Sequence, residues 1–334
     1  MTATYTLFER RRWSCLLASV AVLTACSGSP KADSERNVRT GPARVAREPV
    51  PQPLPGTVSS GAAAQRPDGG AIEPGKFYLT GLDQVGTTVR QVATGKLEFH
   101  AGMETDGHTI SLDIALSMTA AQTTETLAVT EGSATKMRET IERMRAAMQV
   151  RAELDGQRHD KSQPTLVLPL EGAVLIAERQ GDLWLRRLES GTPTPDQEKL
   201  LADSVPVTEF YPREGIAVGH SWQLPTNALR IMAGGFLQDT QGQATAKLTD
   251  VVPCGKHTCA VVTFAGEVAG TVAGGVNTGT MRWQLRGECK HDLVTGADVQ
   301  CQFGGPIEGQ MALAGNDQAQ VQGLLEFTAK ETVQ

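Results

Sequence analysis

The chain reads as a mainly β protein: a curved antiparallel sheet or half-barrel with one to three helices, preceded by a signal peptide and a disordered tether. Three observations lead there. From Lys76 onward, apolar and polar residues alternate in runs separated by turn signals, the period-two pattern of half-buried strands. Before Lys76, eight of the 17 prolines crowd into residues 27–75. The first 25 residues place a basic cluster, Arg10-Arg11-Arg12, ahead of a 13-residue apolar run from Trp13 to Ala25.

That run is too short to span a bilayer, which takes about 20 residues. A basic start, a short apolar stretch and small residues at its end form an export signal, here residues 1–25. Its last residues and the next one, Leu23-Thr24-Ala25-Cys26, resemble the lipobox of bacterial lipoproteins. The resemblance implies that Cys26 receives a diacylglycerol, that the chain is cut just before it, and that the new amino group is acylated, typically with palmitate. Cys15 is then discarded with the signal. Each buried CH2 is worth about 0.8 kcal/mol, so several acyl chains make a lasting anchor where one would not. In the lipoproteins of enteric bacteria an Asp after the lipidated cysteine retains the protein in the inner membrane. Ser27 stands there instead, so the expected location is the cell envelope, at the outer membrane and facing the periplasm.

Residues 26–75 hold the lipidated cysteine and a tether. The stretch "EPVPQPLPG" (48–56) alternates proline and favours an extended polyproline-like path. "TVSSGAAAQRPDGG" (57–70) has too little apolar content to offset the entropy of ordering. As a coil the tether reaches about 40 Å. The remaining residues, 76–334, form one β-rich domain.

Within that domain, "HTISLDIALSM" (108–118) puts Ile110, Leu112, Ile114 and Leu116 on one face. Residues 242–331 read as a meander of about five antiparallel strands with one buried face. Its inward residues include Val262 and Phe264, Trp283 and Leu285, Cys301 and Phe303, and Val321 and Phe327. "TPDQEKLLADS" (194–204) is a helix with Thr194 as N-cap, Pro195 at N1 and Glu198 near N3. "PTNALRIMAGG" (225–235) reads as a short helix ending in glycine. The segment 133–154 is ambiguous. Met137, Ile141, Met144 and Met148 recur at helical spacing in a composition that favours helix. Gly132 before it and Asp155-Gly156-Gln157 after it are hairpin punctuation, so a long β-hairpin is the alternative.

Four cysteines remain after Cys15 and Cys26. An even number in an exported chain reads as disulfides. Cys254 and Cys259 flank a tight turn, and Cys289 and Cys301 flank a turn at Val294-Thr295-Gly296. The expected pairs are Cys254–Cys259 and Cys289–Cys301, although four cysteines allow three pairings. His257 and His291 lie among them, which raises zinc or copper. The paired Cys-x2-Cys spacing of structural zinc sites is missing, and no metal or cofactor is expected.

Catalytic signatures are sparse. "SATK" (133–136) matches Ser-x-x-Lys, but no Lys-Thr-Gly or Ser-x-Asn partner follows. No Gly-x-Ser-x-Gly, His-Glu-x-x-His, phosphate-binding loop or EF-hand loop occurs. The six histidines show no carboxylate partner at a telling spacing. A net charge of −6, near −8 without the signal, argues against nucleic acid, as does an aromatic share of 4%, which also leaves little for sugar-stacking platforms.

"YPREGIAVGHSWQLP" (211–225) resembles a phrase of uncharacterised exported bacterial lipoproteins with a curved antiparallel sheet. Taken together, the expectation is a non-enzymatic, membrane-anchored envelope lipoprotein that binds a lipid or other apolar ligand inside the sheet. The Met-lined segment 137–148 would repack around that ligand. The alternative is a structural lipoprotein that binds another envelope protein, and a weaker alternative is a hydrolase of envelope polymers. The expected partners are the membrane, through the N-terminal lipid, and the apolar ligand or the envelope protein.

Overall fold

A computed structural model describes residues 74–80, 83–105, 108–202, 205–206, 209–233, 237–274, 277–312 and 318–334. The signal peptide 1–25, the lipidation residue Cys26 and nearly all of the 26–75 tether lie outside the described residues. Among the described residues there are fourteen strands and two helices. All the strands belong to one open antiparallel sheet, which does not close into a barrel.

The sheet has two halves. In the first, β1 (Thr88–Thr105), β2 (His108–Thr130) and β3 (Ser133–Leu154) are long. β4 (Gln157–Ser162) and β5 (Leu166–Val167) pair with β3, and β6 (Val174–Gln180), β7 (Leu183–Leu188) and β8 (Val205–Pro206) extend the sheet to one edge. The second half is the meander β10 (Gln238–Cys254), β11 (His257–Gly274), β12 (Asn277–Asp292), β13 (Asp298–Ala312) and β14 (Gln318–Val333). The short β9 (Ser221–Gln223) pairs with the middle of β10 and forms the other edge. β1 pairs with β14, so the first and last long strands join the two halves at the centre.

The meander occupies the region where alternation places it, with Val262, Phe264, Trp283, Leu285, Phe303 and Val321 all buried. Phe303, the last inward residue named there from alternation, lies in mid-strand, and β13 continues to Ala312.

Segment 133–154 is a strand, not a helix, and its backbone shows how the helical spacing arose. β3 follows one tight turn with positive φ at Glu131 and Gly132 and precedes another at Asp155 and Gly156. Two successive residues at positive φ define the hairpin turn that suits the twist of antiparallel strands. In mid-strand the register shifts: Gln122 faces Ile141 while Ala121 faces Arg143, so Glu142 is an extra residue, a β-bulge. The bulge switches the inward parity from odd (Met137, Glu139, Ile141) to even (Met144, Ala146, Met148). An odd run followed by an even run reproduces the i, i+4, i+7, i+11 spacing of one helical face.

The first helix, α1 (Pro195–Ala202), begins at Thr194. The Gln197 amide donates to Thr194 Oγ1 at 3.3 Å, and the Thr194 amide donates to Gln197 Oε1 at 2.9 Å. This is a reciprocal capping box, with Gln197 rather than Glu198 at N3. The second helix, α2 (Thr226–Met232), buries Ala228, Leu229, Ile231 and Met232. These four pack in one core with the sheet's inward face, together with Leu79, Leu168, Leu170, Phe210, Tyr211 and Ile216 from the connecting segments. The protein's own chain therefore covers the inner face.

Candidate functional site

The inner face brings together residues that lie far apart in the chain. The structure pairs Cys254 with Cys259 and Cys289 with Cys301. Cys289 and Cys301 are direct cross-strand partners, while Cys254 and Cys259 close the β10–β11 turn. The four sulfurs are consumed in these bonds and are not thiolate ligands.

Beside the disulfides sits a buried polar network. His291 Nδ1 is 2.7 Å from Asp298 Oδ1, and the Tyr211 hydroxyl donates to the same oxygen at 2.8 Å. The Tyr211 and His291 rings are 4.8 Å apart. The Asp298 amide donates to Glu331 Oε2 at 2.9 Å, and Gln91 Nε2 donates to Glu331 Oε1 at 3.1 Å. One residue along, His257 Nδ1 lies 2.6 Å from Asp292 Oδ2. Burial pushes the Asp292 carboxyl up, but the His257 ring and the Thr295 and Val294 amides together outweigh it. They hold the group below the usual carboxylate range.

A histidine, two carboxylates and a tyrosine in one cluster invite a catalytic reading. Their placement argues against it. His291 is fully buried, and Tyr211, Asp298 and Glu331 are buried beside it. A catalytic group must reach the atom it acts on. The network instead ties the 292–297 turn to β1 and β14. Sequence spacing did not show these partners, which lie 7, 35, 87 and 240 residues apart. His100, on the outer face, pairs with Asp113 at 2.8 Å and is exposed. Ser133 of the Ser-x-x-Lys match is buried in a hairpin, and Lys136 pairs with Glu178 at 2.8 Å.

The methionines expected to line an apolar cavity are already packed. Met144 and Met148 belong to the main core, and Met137 packs in a smaller one with Ala134, Ala177, Trp184 and Val205.

The outer face is polar. β1 presents Arg90, Thr94, Lys96, Glu98 and His100 outward. β12 presents Arg282, Gln284, Arg286 and Glu288, and β14 presents Gln320, Gln322, Glu326 and Lys330. Val92 and Leu324 are the exposed large apolar residues in these rows, which otherwise lack the continuous apolar outward row of a lipid-facing strand. Among the described residues no helix is long and apolar enough to cross a membrane.

A cleft opens on that outer face, with a volume of about 640 Å³ over β12, β13 and β14. Its floor is Gly304, Gly305 and Pro306, and its walls include Arg286, Glu288, Lys290, Gln300, Gln302 and Glu326. Gly305 has φ +150°, and a Cβ there would lie 1.8 Å from Gln284 O. Only glycine lets the two backbones come that close. The kink sits inside β13, just past Phe303, the last inward residue named in this strand from alternation. The Gly-Gly-Pro run at 304–306 was its one local signal.

No protein-family model matches the chain, and no curated protein matches it. Among solved structures, an outer membrane channel from Pseudomonas putida F1 is similar at 8% identity and a TM-score of 0.21, covering 78% of this chain and 100% of that one. OprB from Pseudomonas putida is similar at 7% identity and a TM-score of 0.24, covering 72% and 92%. TM-scores this low assign neither a fold nor an activity.

Proposed function

We propose that the protein is a non-enzymatic lipoprotein of the cell envelope whose β domain, 76–334, serves as a binding scaffold on a tether. In this reading the chain is exported on residues 1–25 and anchored by lipid at Cys26. It lies at the outer membrane and faces the periplasm. The observation that carries the scaffold role is the occupied inner face: α2 and Met144 and Met148 fill the place a carried lipid would take. The two disulfides support an oxidising compartment. The polar outer face supports a body that meets water and polar partners.

Two measurements test this. Labelled palmitate fed to an exporting bacterium should enter the wild-type chain and not Cys26→Ala. Label in both, or in neither, would sink the anchor. Native mass spectrometry of the purified mature protein should show the chain plus its N-terminal acyl groups alone. An additional lipid-sized mass would instead establish the carrier role.

A further inference from the structure

The cleft on the outer face has a chemical character of its own. In the register, Arg286 of β12 lies opposite Gly304 of β13, which lies opposite Glu326 of β14. Two strand spacings, about 10 Å, therefore separate an outward cation from an outward anion with no side chain between them. Lys290 and Glu288 extend the two signs along β12, and Gln300 and Gln302 add amides from β13. Among the described residues Arg286, Lys290 and Glu288 form no ion pair.

The charges balance, which disfavours a polyanion, since phosphate-rich ligands want clustered Lys and Arg. A docked protein would want a buried aromatic or aliphatic anchor, and the cleft offers only Pro306 and the edge of the buried Phe303. An added peptide strand would need a free sheet edge, and β12, β13 and β14 are each paired on both sides. What the walls do offer is mixed: amides that donate and accept, a guanidinium that donates and carboxylates that accept. That set complements hydroxyl and acetamido groups. The flat glycine and proline floor leaves room for a ring to lie against the backbone.

From this geometry we infer that the cleft over Gly304 and Gly305 binds a net-neutral glycan bearing hydroxyl and acetamido groups. The inference deepens the scaffold reading by naming a polymer as the partner. Recognition rests on hydrogen bonds rather than on aromatic stacking, so a single short oligosaccharide binds weakly, with Kd about millimolar, and a polymer gains by multivalency.

The test titrates the full-length protein with tetra-N-acetylchitotetraose and follows binding by saturation-transfer NMR and calorimetry. Saturable binding that persists in high salt is expected. Arg286→Ala or Gln302→Ala should weaken it about fivefold, the worth of one hydrogen bond. Gly304→Gln, which fills the floor, should abolish it. A Cβ at 304 lies 3.2 Å from Leu325 O, so melting of that variant is checked, and the two alanine variants on exposed positions decide the matter should it unfold. No binding by wild type, binding lost in salt, or binding indifferent to both alanine variants would each overturn the inference. The anchor is tested separately: Cys26→Ala should lose palmitate and keep oligosaccharide binding, so either idea can fail without the other.

Discussion

The two halves of the sheet share one topology but bury different chemistry. On the β10–β14 side the inner face is apolar from Val262 to Val321. Its buried polar side chains, His291, Asp292, Asp298 and Glu331, each have hydrogen-bonded partners, and two disulfides cross-link it. Trp283 Nε1 is the exception there. On the β1–β8 side the inner face carries Gln122, Thr126, Glu139 and Arg186, each with a buried polar atom that has no hydrogen-bond partner among the described residues. Glu139 and Arg186 sit 3.6 Å apart with their side chains nearly inaccessible. Buried polar groups cost free energy unless satisfied, and a buried ion pair often fails to recover its desolvation. The difference teaches that one continuous sheet need not be uniformly stable. The meander should be the last part to open, and the β1–β8 side the first.

The largest expected effect tests the strong half. Trp283→Ala removes a fully buried ring from the centre of the meander and should lower stability by about 4 kcal/mol in denaturant unfolding. A loss under about 1 kcal/mol would mean that the meander is not the stable half. The weak half is tested by its ion pair. Glu139→Leu alone leaves Arg186 buried without its counter-charge and should cost about 3 kcal/mol, while Glu139→Leu with Arg186→Leu should be neutral or stabilising. If the double variant is no better than the single one, the pair is an asset and the comparison fails.

Next comes the cross-linking. Replacing Cys289 and Cys301 with alanine should cost about 3 kcal/mol, and replacing Cys254 and Cys259 about 2 kcal/mol, following loop length. Hydrogen exchange should then show the gap between the two halves narrowing.

A smaller effect concerns acid. The folded Asp292 carboxyl titrates below its unfolded value. Its stabilising contribution is therefore complete above the ordinary carboxylate pKa and is lost as pH falls through the folded one. Asp292→Asn should flatten the decline of the melting temperature on the acid side, and an unchanged slope would assign the acid sensitivity elsewhere. Smallest of all, Arg90→Ala breaks a 2.7 Å pair with Glu142 on the outer face. Both partners are partly solvated, so the unfolding midpoint should barely move.

Much of the meander was legible in the sequence because each strand buries one face, so the residues themselves carry the period of two. Its inward residues Phe264, Trp283 and Phe303 could be named from alternation alone. The first half was harder for a specific reason. Glu142 inserts one residue into β3 and flips its parity, so Met137 and Met148 mimic a helix. The turn residues Gly132 and Asp155-Gly156 carried the correct signal, because two consecutive positive φ values are needed there whatever the strands do. The cleft was hidden by the same kind of event, a glycine kink in the middle of β13.

The sequence by itself determined the local matters: alternation, tight turns, the Thr194 cap and the number of cysteines available to pair. Each depends on neighbours a few residues apart, whose geometry the chain dictates directly. Only the tertiary structure decided the rest. It set β1 against β14 so that Gln91 meets Glu331 across 240 residues. It turned three histidines, His100, His257 and His291, into His–Asp pairs, and it laid Arg286 and Glu326 on either side of a bare glycine. Those arrangements rest on strand register. Register is a property of the whole sheet, since a one-residue slip in any strand turns its side chains to the other face.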